Sequence, residues 1–332
     1  MKEIFFSKLT SRRTAIGGLL GWSSAGWSLA AENFYRVPKT IIVPLPIGSL
    51  TDSLARKFAE LISESTHSPV NVENIPGASG AIAVNQLLSR PRDGSTLLLG
   101  SSGVICVTPL LIKGQLKFDP QIDLVPVCTT ATAVFFLFTA KTFPANNLKE
   151  LKQFYADGGE QPTYAANAVG SANHLAGEEI LQRLGIKGTH IPYNNTSQAI
   201  VDVAQGRVQL GIFGYSSISA FLEVNRVKLL CNLSDIQLDN LSQTSSVAAQ
   251  GFGNFNITGW SALFVANGTP QSIIQEHERL IKSLYGLSDI FTFAKAIGSV
   301  ATFRGHADSK VFVNDEILRY KELVHKYKIV PI

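Results

Sequence analysis

Residues 40–62 read TIIVPLPIGSLTDSLARKFAELI, and the hydrophobic period changes halfway through. Thr40 to Pro44 is a short, β-branched apolar run, the composition of a buried strand. Beyond a Pro/Gly turn, Leu54, Ala55, Phe58, Leu61 and Ile62 recur at helical spacing, with Thr51 and Asp52 placed ahead of them as N-caps. The pattern then repeats. Val70 to Glu73 reads as a strand, Gly80 to Leu88 as a helix and Thr96 to Leu99 as a strand. Such alternation predicts a parallel sheet with helices on both faces.

A second series starts at Val134 to Thr139, VFFLFT, and continues through a helix at Leu148 to Tyr155 and a strand at Thr163 to Ala166. It goes on with a helix from about Asn173 to Leu184, a strand at His190 to Pro192, a helix near Ser197 to Gln205 and a strand at Leu210 to Phe213. Strand-like segments at Cys128 to Thr132 and Gly259 to Val265 bracket this series, so the chain leaves a first lobe, builds a second and returns. The expected lobes are 31–132 plus 259–332, and 133–258. The C-terminal stretch reads as helices, with Ile317, Leu318, Lys321 and Val324 on one face of the last.

Composition sets outer bounds. The chain has 332 residues, 45% of them hydrophobic and 16% charged, which excludes a disordered polypeptide and leaves enough length for two cores. Its formal charge of +4 is not spread evenly. Lys2, Lys8, Arg12 and Arg13 precede an uncharged run from Ala15 to Ala30 that ends Ser28-Leu29-Ala30, the layout of a secretory signal cleaved near Ala30. Ser11-Arg12-Arg13 also resembles the core of a twin-arginine signal; an uncleaved N-terminal anchor is the alternative. Removal of 1–30 would leave 25 basic and 24 acidic residues, a net of +1. The expected location is the periplasm.

An oxidising compartment permits disulfides, but Cys106, Cys128 and Cys231 are odd in number and widely spaced. They read as three buried small hydrophobes, with one bridge and a free thiol as the alternative. No metal and no cofactor is expected. The sequence has no zinc-ligand spacing, no GxSxG, no HExxH, no Walker loop and no GxGxxG. Basic residues form no stripe interleaved with aromatics, so no nucleic-acid partner is expected.

The candidate site lies in the turns. Pro44 to Asp52 joins a strand to a helix whose first-turn amides and dipole suit an anion, although Gly48 as a simple tight turn and Asp52 as a simple cap explain it equally well. Glu73-Asn74-Ile75-Pro76-Gly77-Ala78-Ser79-Gly80 repeats the device, and Gly100-Ser101-Ser102-Gly103 adds hydroxyls. All three fall at the carboxyl ends of strands, where open α/β sheets bind ligands. In the second series, Asn167 to His174 places Gly170 and Ser171 before a helix, with His174 either a ligand donor or a structural histidine. Tyr193 ends another strand, free either to face the cleft or to pack.

Those loops resemble the Bug family, the solute receptors of tripartite tricarboxylate transporters. The resemblance rests on Gly48, Asp52 and Arg56; on Val72, Glu73, Asn74, Gly77, Ala78 and Gly80; and on Asp93, Gly94, Thr96 and Leu97. It continues through Phe118-Asp119-Pro120, Asp123 to Val127, Gly170-Ser171 with His174 to Glu178, Pro192-Tyr193, Gly206, and Trp260 through Thr269-Pro270. The chain departs from the family pattern at Ser49 and Ser79, which replace glycines, and at Ile75, where a basic residue is common. It also departs at Asn194-Asn195 and across 235–251.

The resemblance implies an α/β, two-lobed periplasmic binding fold of type II, each lobe a mostly parallel sheet flanked by helices, joined by two crossing strands. It implies a monomeric receptor, not an enzyme, that captures a small carboxylate and delivers it to inner-membrane transporter subunits. Ser49, Leu50, Thr51 and Asp52, with Ala78 and Ser79, would grip one carboxylate, assisted by Ser101 and Ser102. Gly170, Ser171 and His174, with Tyr193, would close from the other lobe. Two alternatives use the same cleft: an exported enzyme with His174 as base and Ser171 or Tyr193 nearby, and a receptor that feeds a membrane sensor.

Overall fold

In the computed structural model, which describes residues 38–112, 117–238, 241, 243–255 and 257–329, the chain enters its first sheet at β1 (Thr40–Val43). The strands β2 (Asn71–Asn74), β3 (Thr96–Ser101) and β4 (Leu124–Ala133) follow. Next come β5 (Phe135–Ala140), β6 (Thr163–Ala166), β7 (Thr189–Pro192), β8 (Leu210–Gly214) and β9 (Val227–Asn232), then β10 (Gly259–Ala266) and β11 (Ser299–Arg304). The first sheet runs β11-β4-β10-β3-β1-β2 and the second β7-β6-β8-β5-β9. The expected export segment, 1–30, lies outside the described residues. Among the described residues no helix is long and apolar enough to cross a membrane.

Side-chain alternation puts helices on both faces. Ile41 and Val43 of β1 and Leu97 and Leu99 of β3 point into one core with Leu54, Ala55, Phe58, Leu61 and Ile62. Ile42 and Leu98 point into the other with Val84, Leu87, Val313 and Tyr320. The helix Leu50–Thr66 has 17 residues, and like most helices in proteins it draws its stability chiefly from its packed face. Its buried Leu, Ile and Phe side chains each contribute roughly 1.5–3 kcal/mol, and that packing holds it. The second sheet repeats the plan: Leu137, Tyr164 and Ile212 face the helix Ala172–Leu184, while Phe136, Phe138 and Phe213 face the helix Thr196–Ala204.

Both sheets are mixed, where mostly parallel pairing was expected. β1 pairs parallel with β2 and β3, and β6 with β7 and β8. The pairs β10–β3, β10–β4, β11–β4, β5–β8 and β5–β9 are antiparallel. The cause is the crossover. β4 runs through Val134 into β5, and β10 brings the chain back beside β4 in the opposite direction, paired from Gly259↔Ala133 to Ala266↔Leu124.

Three other expectations change. Ser49, not Thr51 or Asp52, is the N-cap of the first helix, its Oγ accepting from the Asp52 amide. The C-terminal stretch is not all helical, because Ser299–Arg304 forms β11 on the edge of the first sheet. The last helix, His306–Lys326, buries Val313, Glu316, Ile317 and Tyr320, whereas Leu318 is exposed. Glu316 sits inward because its carboxylate accepts from the Trp260 indole at 2.9 Å and from Arg319 at 2.7 Å. Cys106, Cys128 and Cys231 are free and buried.

The last helix also ties the two sheets together. The Tyr320 hydroxyl donates to the Thr258 carbonyl, next to the returning strand. Beyond it, Lys326 bonds Glu179 on the helix Ala172–Leu184 at 2.8 Å, and the Tyr327 hydroxyl donates to the same carboxylate. Arg183 completes the group at 2.6 Å. Burial by itself would raise the Glu179 carboxyl, but these three donors outweigh it and hold it down to about 2.

Glu179→Gln should therefore lower the melting temperature at neutral pH by a few degrees, about 1–2 kcal/mol, since its partners are themselves part-exposed. The carboxyl is depressed in the folded state, so its contribution is full above the ordinary carboxylate range and is lost as pH falls toward about 2. The gap between wild type and variant should close over that interval. Identical melting at neutral pH would show that the group carries no stability.

Candidate functional site

The first loop is built around a buried carboxylate. Gly48 takes φ +82°, a left-handed turn that suits glycine, and directs its N–H to Asp52 Oδ2 at 2.9 Å. Arg56, one helical turn on, reaches Oδ2 with Nε at 3.1 Å and Oδ1 with a second nitrogen at 2.9 Å. Asn74 at the end of β2 donates to Oδ1 at 2.9 Å and to the Leu45 carbonyl at 3.1 Å. Asp52 is 2% exposed, so its carboxylate is spent on the scaffold. Burial pushes its carboxyl up, and the bonds from Arg56, Gly48 and Asn74 more than reverse that, leaving it below the ordinary carboxylate range.

What this arrangement leaves open is backbone. Ser49 donates its amide to the Pro46 carbonyl and accepts the Asp52 amide on Oγ at 3.2 Å. The amides of Leu50 and Thr51, at the start of the helix, have no acceptor among the described residues. Leu50 is half-buried and the Thr51 side chain buried, so these two residues offer N–H groups more than side chains.

The second and third loops brace the first. Ala78 and Ser79 are exposed and both occupy left-handed φ, +44° and +52°. The Ser79 carbonyl accepts from Thr108 Oγ1 at 2.8 Å, which fastens this turn to the segment that follows β3. Ser101 is half-buried at the end of β3. Ser102 is 2% exposed, so it faces the core.

The second-lobe loop repeats the first with different chemistry. Ser171 caps the helix Ala172–Leu184, its Oγ accepting from the His174 amide at 3.4 Å, and the amides of Ala172 and Asn173 have no acceptor among the described residues. Gly170 is buried at φ +80°, and a Cβ there would come within 2.4 Å of Leu111 and 2.7 Å of Val107. It is therefore the point at which this loop touches the segment after β3. The Gly170 amide is taken by His174 Nδ1 at 2.9 Å, and His174 is 4% exposed. Tyr193 is equally committed: its hydroxyl donates to Asp202 at 2.8 Å. Burial first, and Asp202 second, push that phenol up to about 12.

Of the expected residues, Leu50 and Thr51 keep their amides free at one helix start and Ser171 caps another whose next two amides are free, while Ser49 is half-buried and Ser79 exposed. The structure turns Asp52, Ser102, His174 and the Tyr193 hydroxyl toward neighbouring protein groups. Reading the sequence for anion donors passed over Asn74, Arg56 and Thr108 as the braces of these loops. Asp52 and Arg56 are four apart on one helix, a pairing signal in the sequence; Thr108 carries no local signal.

The family model for the tripartite tricarboxylate transporter family receptor, TctC, matches residues 54–329. A UPF0065 protein of Bordetella pertussis is 29% identical over 96% of this chain and 98% of its own length. BugT of the same organism is 28% identical, with the same coverage of each chain. Among solved structures, R. palustris Rpa4515 with adipate matches with a TM-score of 0.80 and 25% identity, over 89% of this chain and 98% of that one.

Asp52→Ala strips partners from Gly48, Asn74 and Arg56 at once and should destabilise the protein by about 2–3 kcal/mol. Asp52→Asn keeps the shape but offers only one acceptor oxygen and no charge, and should cost about half as much. Urea melts of the three proteins test the order; equal midpoints would mean that the carboxylate does not hold the loop.

Proposed function

The chain belongs to the tripartite tricarboxylate transporter receptor family, and we propose that it is a receptor that captures a small carboxylate between its lobes and hands it to inner-membrane transporter subunits. The observation that carries this reading is the pair of serine-capped helix starts, at Leu50 and Ala172, whose first-turn amides remain free while nearby charged side chains are paired among themselves. Free amides at the positive end of a helix dipole hold a carboxylate without a cationic side chain. Lys and Arg are absent from 44–52, 74–82, 100–111, 166–175 and 192–199, the loops at issue.

In this reading the lobes are 31–132 plus 259–332, and 133–258, the protein acts as a monomer in the periplasm after cleavage near Ala30, and closure about β4 and β10 is the state the membrane subunits recognise. The relative solved with adipate supports the ligand class. An enzyme in the same cleft would need His174 as a free base, and its Nδ1 already accepts from Gly170 while Nε2 faces Glu178. That geometry favours binding without chemistry.

Adipate, succinate, citrate, glutamate and benzoate form a direct panel. At least one should raise the melting temperature of ligand-stripped protein in proportion to the logarithm of its concentration, as mass action requires. Leu50→Pro is the sharper probe. Proline fits the first position of a helix and Ser49 already has the extended ψ of 159° that a following proline needs, so the fold should survive while one amide donor disappears. A roughly three- to tenfold loss of affinity for the binding acid is expected. Unchanged affinity in a folded Leu50→Pro protein would remove this turn from the site.

A further inference from the structure

Four polar rings and chains lie behind the second-lobe loop. His174 stacks on His190 with centroids 3.9 Å apart and ring planes 20° from parallel, and on Tyr164 at 6.3 Å. The Tyr164 hydroxyl donates to Glu178 Oε1 at 2.5 Å, and His174 Nε2 lies 3.7 Å from the same oxygen. On the other side of the imidazole, the Gly170 amide donates to Nδ1. An N–H can only donate, so Nδ1 carries no proton, and the one ring proton sits on Nε2 toward Glu178. The Gly170 amide therefore fixes the tautomer, and the same bond ties the ring to the loop.

From this geometry we propose that His174 is a positioning residue for the carboxylate site: its unprotonated Nδ1 holds the Gly170 amide and sets the turn that presents the Ala172 and Asn173 amides. The inference rests on the receptor reading above for its ligand consequence, not for its structural one. Gly170 matters because the turn has little room to adjust, being pinned against Val107 and Leu111. A proton added to Nδ1 would set donor against donor, and Gly170 would have to turn away from the ring. The loop, and the amides that follow Ser171, would then lose their fixed direction.

The titratable groups facing the ring are Glu178 on its own helix, Tyr164 on β6 and His190 on β7; the segment 103–111 packed against the loop bears no charged side chain. Burial raises Glu178, but bonds from His174 and Tyr164 leave it lowered overall. Burial pushes His190 down to about 4, with His174 adding to the push, and burial drives the Tyr164 phenol far upward.

The test compares wild type with His174→Asn, whose amide oxygen replaces Nδ1 as acceptor, and His174→Gln, whose amide oxygen reaches the Nε2 position instead. The first readout needs no ligand: the hydrogen-exchange protection factor of the Gly170 amide. Wild type and His174→Asn should both protect it, and His174→Gln should not. The second readout is adipate affinity by calorimetry. His174→Asn should bind within about twofold of wild type and His174→Gln should be weaker by roughly three- to tenfold, the worth of one hydrogen bond.

Equal Gly170 protection in wild type and His174→Gln would overturn the proposal. Should His174→Gln fail to fold, His174→Ala, which removes the acceptor outright, takes its place with the same expectation. Should adipate and the rest of the acid panel leave wild type unbound while the exchange pattern holds, the receptor reading fails and the positioning role of His174 stands.

Discussion

The pairing of β4 with β10 is the constraint on which the architecture depends. These neighbours occupy the middle of the first sheet, antiparallel along eight residues of β10, and each is also a link to the second sheet. β4 runs through the buried Val134 straight into β5, and β10 starts at Gly259 opposite Ala133. The two sheets are joined at those ends, and the ladder beyond them belongs to the first sheet alone. The last helix adds a further restraint through Trp260–Glu316 and Tyr320–Thr258 at the same level, and through Glu179 farther out.

With that junction fixed, loops from distant parts of the sequence become one connected structure. Asn74 joins the second loop to the first through Asp52, Thr108 joins the third to the second through the Ser79 carbonyl, and Gly170 rests on Val107 and Leu111 of the third. The charges in this chain of contacts are neutralised locally. Asp52 has Arg56, and Glu73 has Arg90. The field left for a ligand is that of oriented amides, which is compatible with ligands of different lengths between the same two ends.

Much of this fold was legible because its elements are short, strongly patterned and punctuated. The switch from TIIV to a helical stripe at Leu54 located β1 and its helix, and Thr163–Ala166 is a strand over the residues its composition indicates. β11 was missed because Ser299–Arg304 is an edge strand with one paired side and half-buried residues, which weakens its alternation. The face of the last helix was misjudged for a different reason: Glu316 counts as polar in any periodicity, and it sits inward with Arg319 on its own helix and the Trp260 indole, 56 residues away, as partners. The same limit applies to the site. Gly and Ser marked the loops, but whether Asp52, His174 or Tyr193 faces a ligand is decided by Asn74, Gly170 and Asp202, and no local pattern encodes those partnerships.

The place of β10 in the strand order has a consequence for how the chain reaches its native state. β3 and β4 are consecutive in sequence yet do not pair, since β10 lies between them. β1, β2 and β3 can pair with one another from local chain, but the first sheet cannot be completed until residue 266 is available, after 135–232 has been made. The second sheet, by contrast, is drawn from the continuous stretch 135–232 and can be completed from local chain alone. Loop-closure entropy thus favours early completion of the middle of the polypeptide and leaves the outer edge of β3, Leu98 to Ser101, open until β10 arrives. An unpaired hydrophobic strand edge is the part of an incomplete fold most prone to pair wrongly.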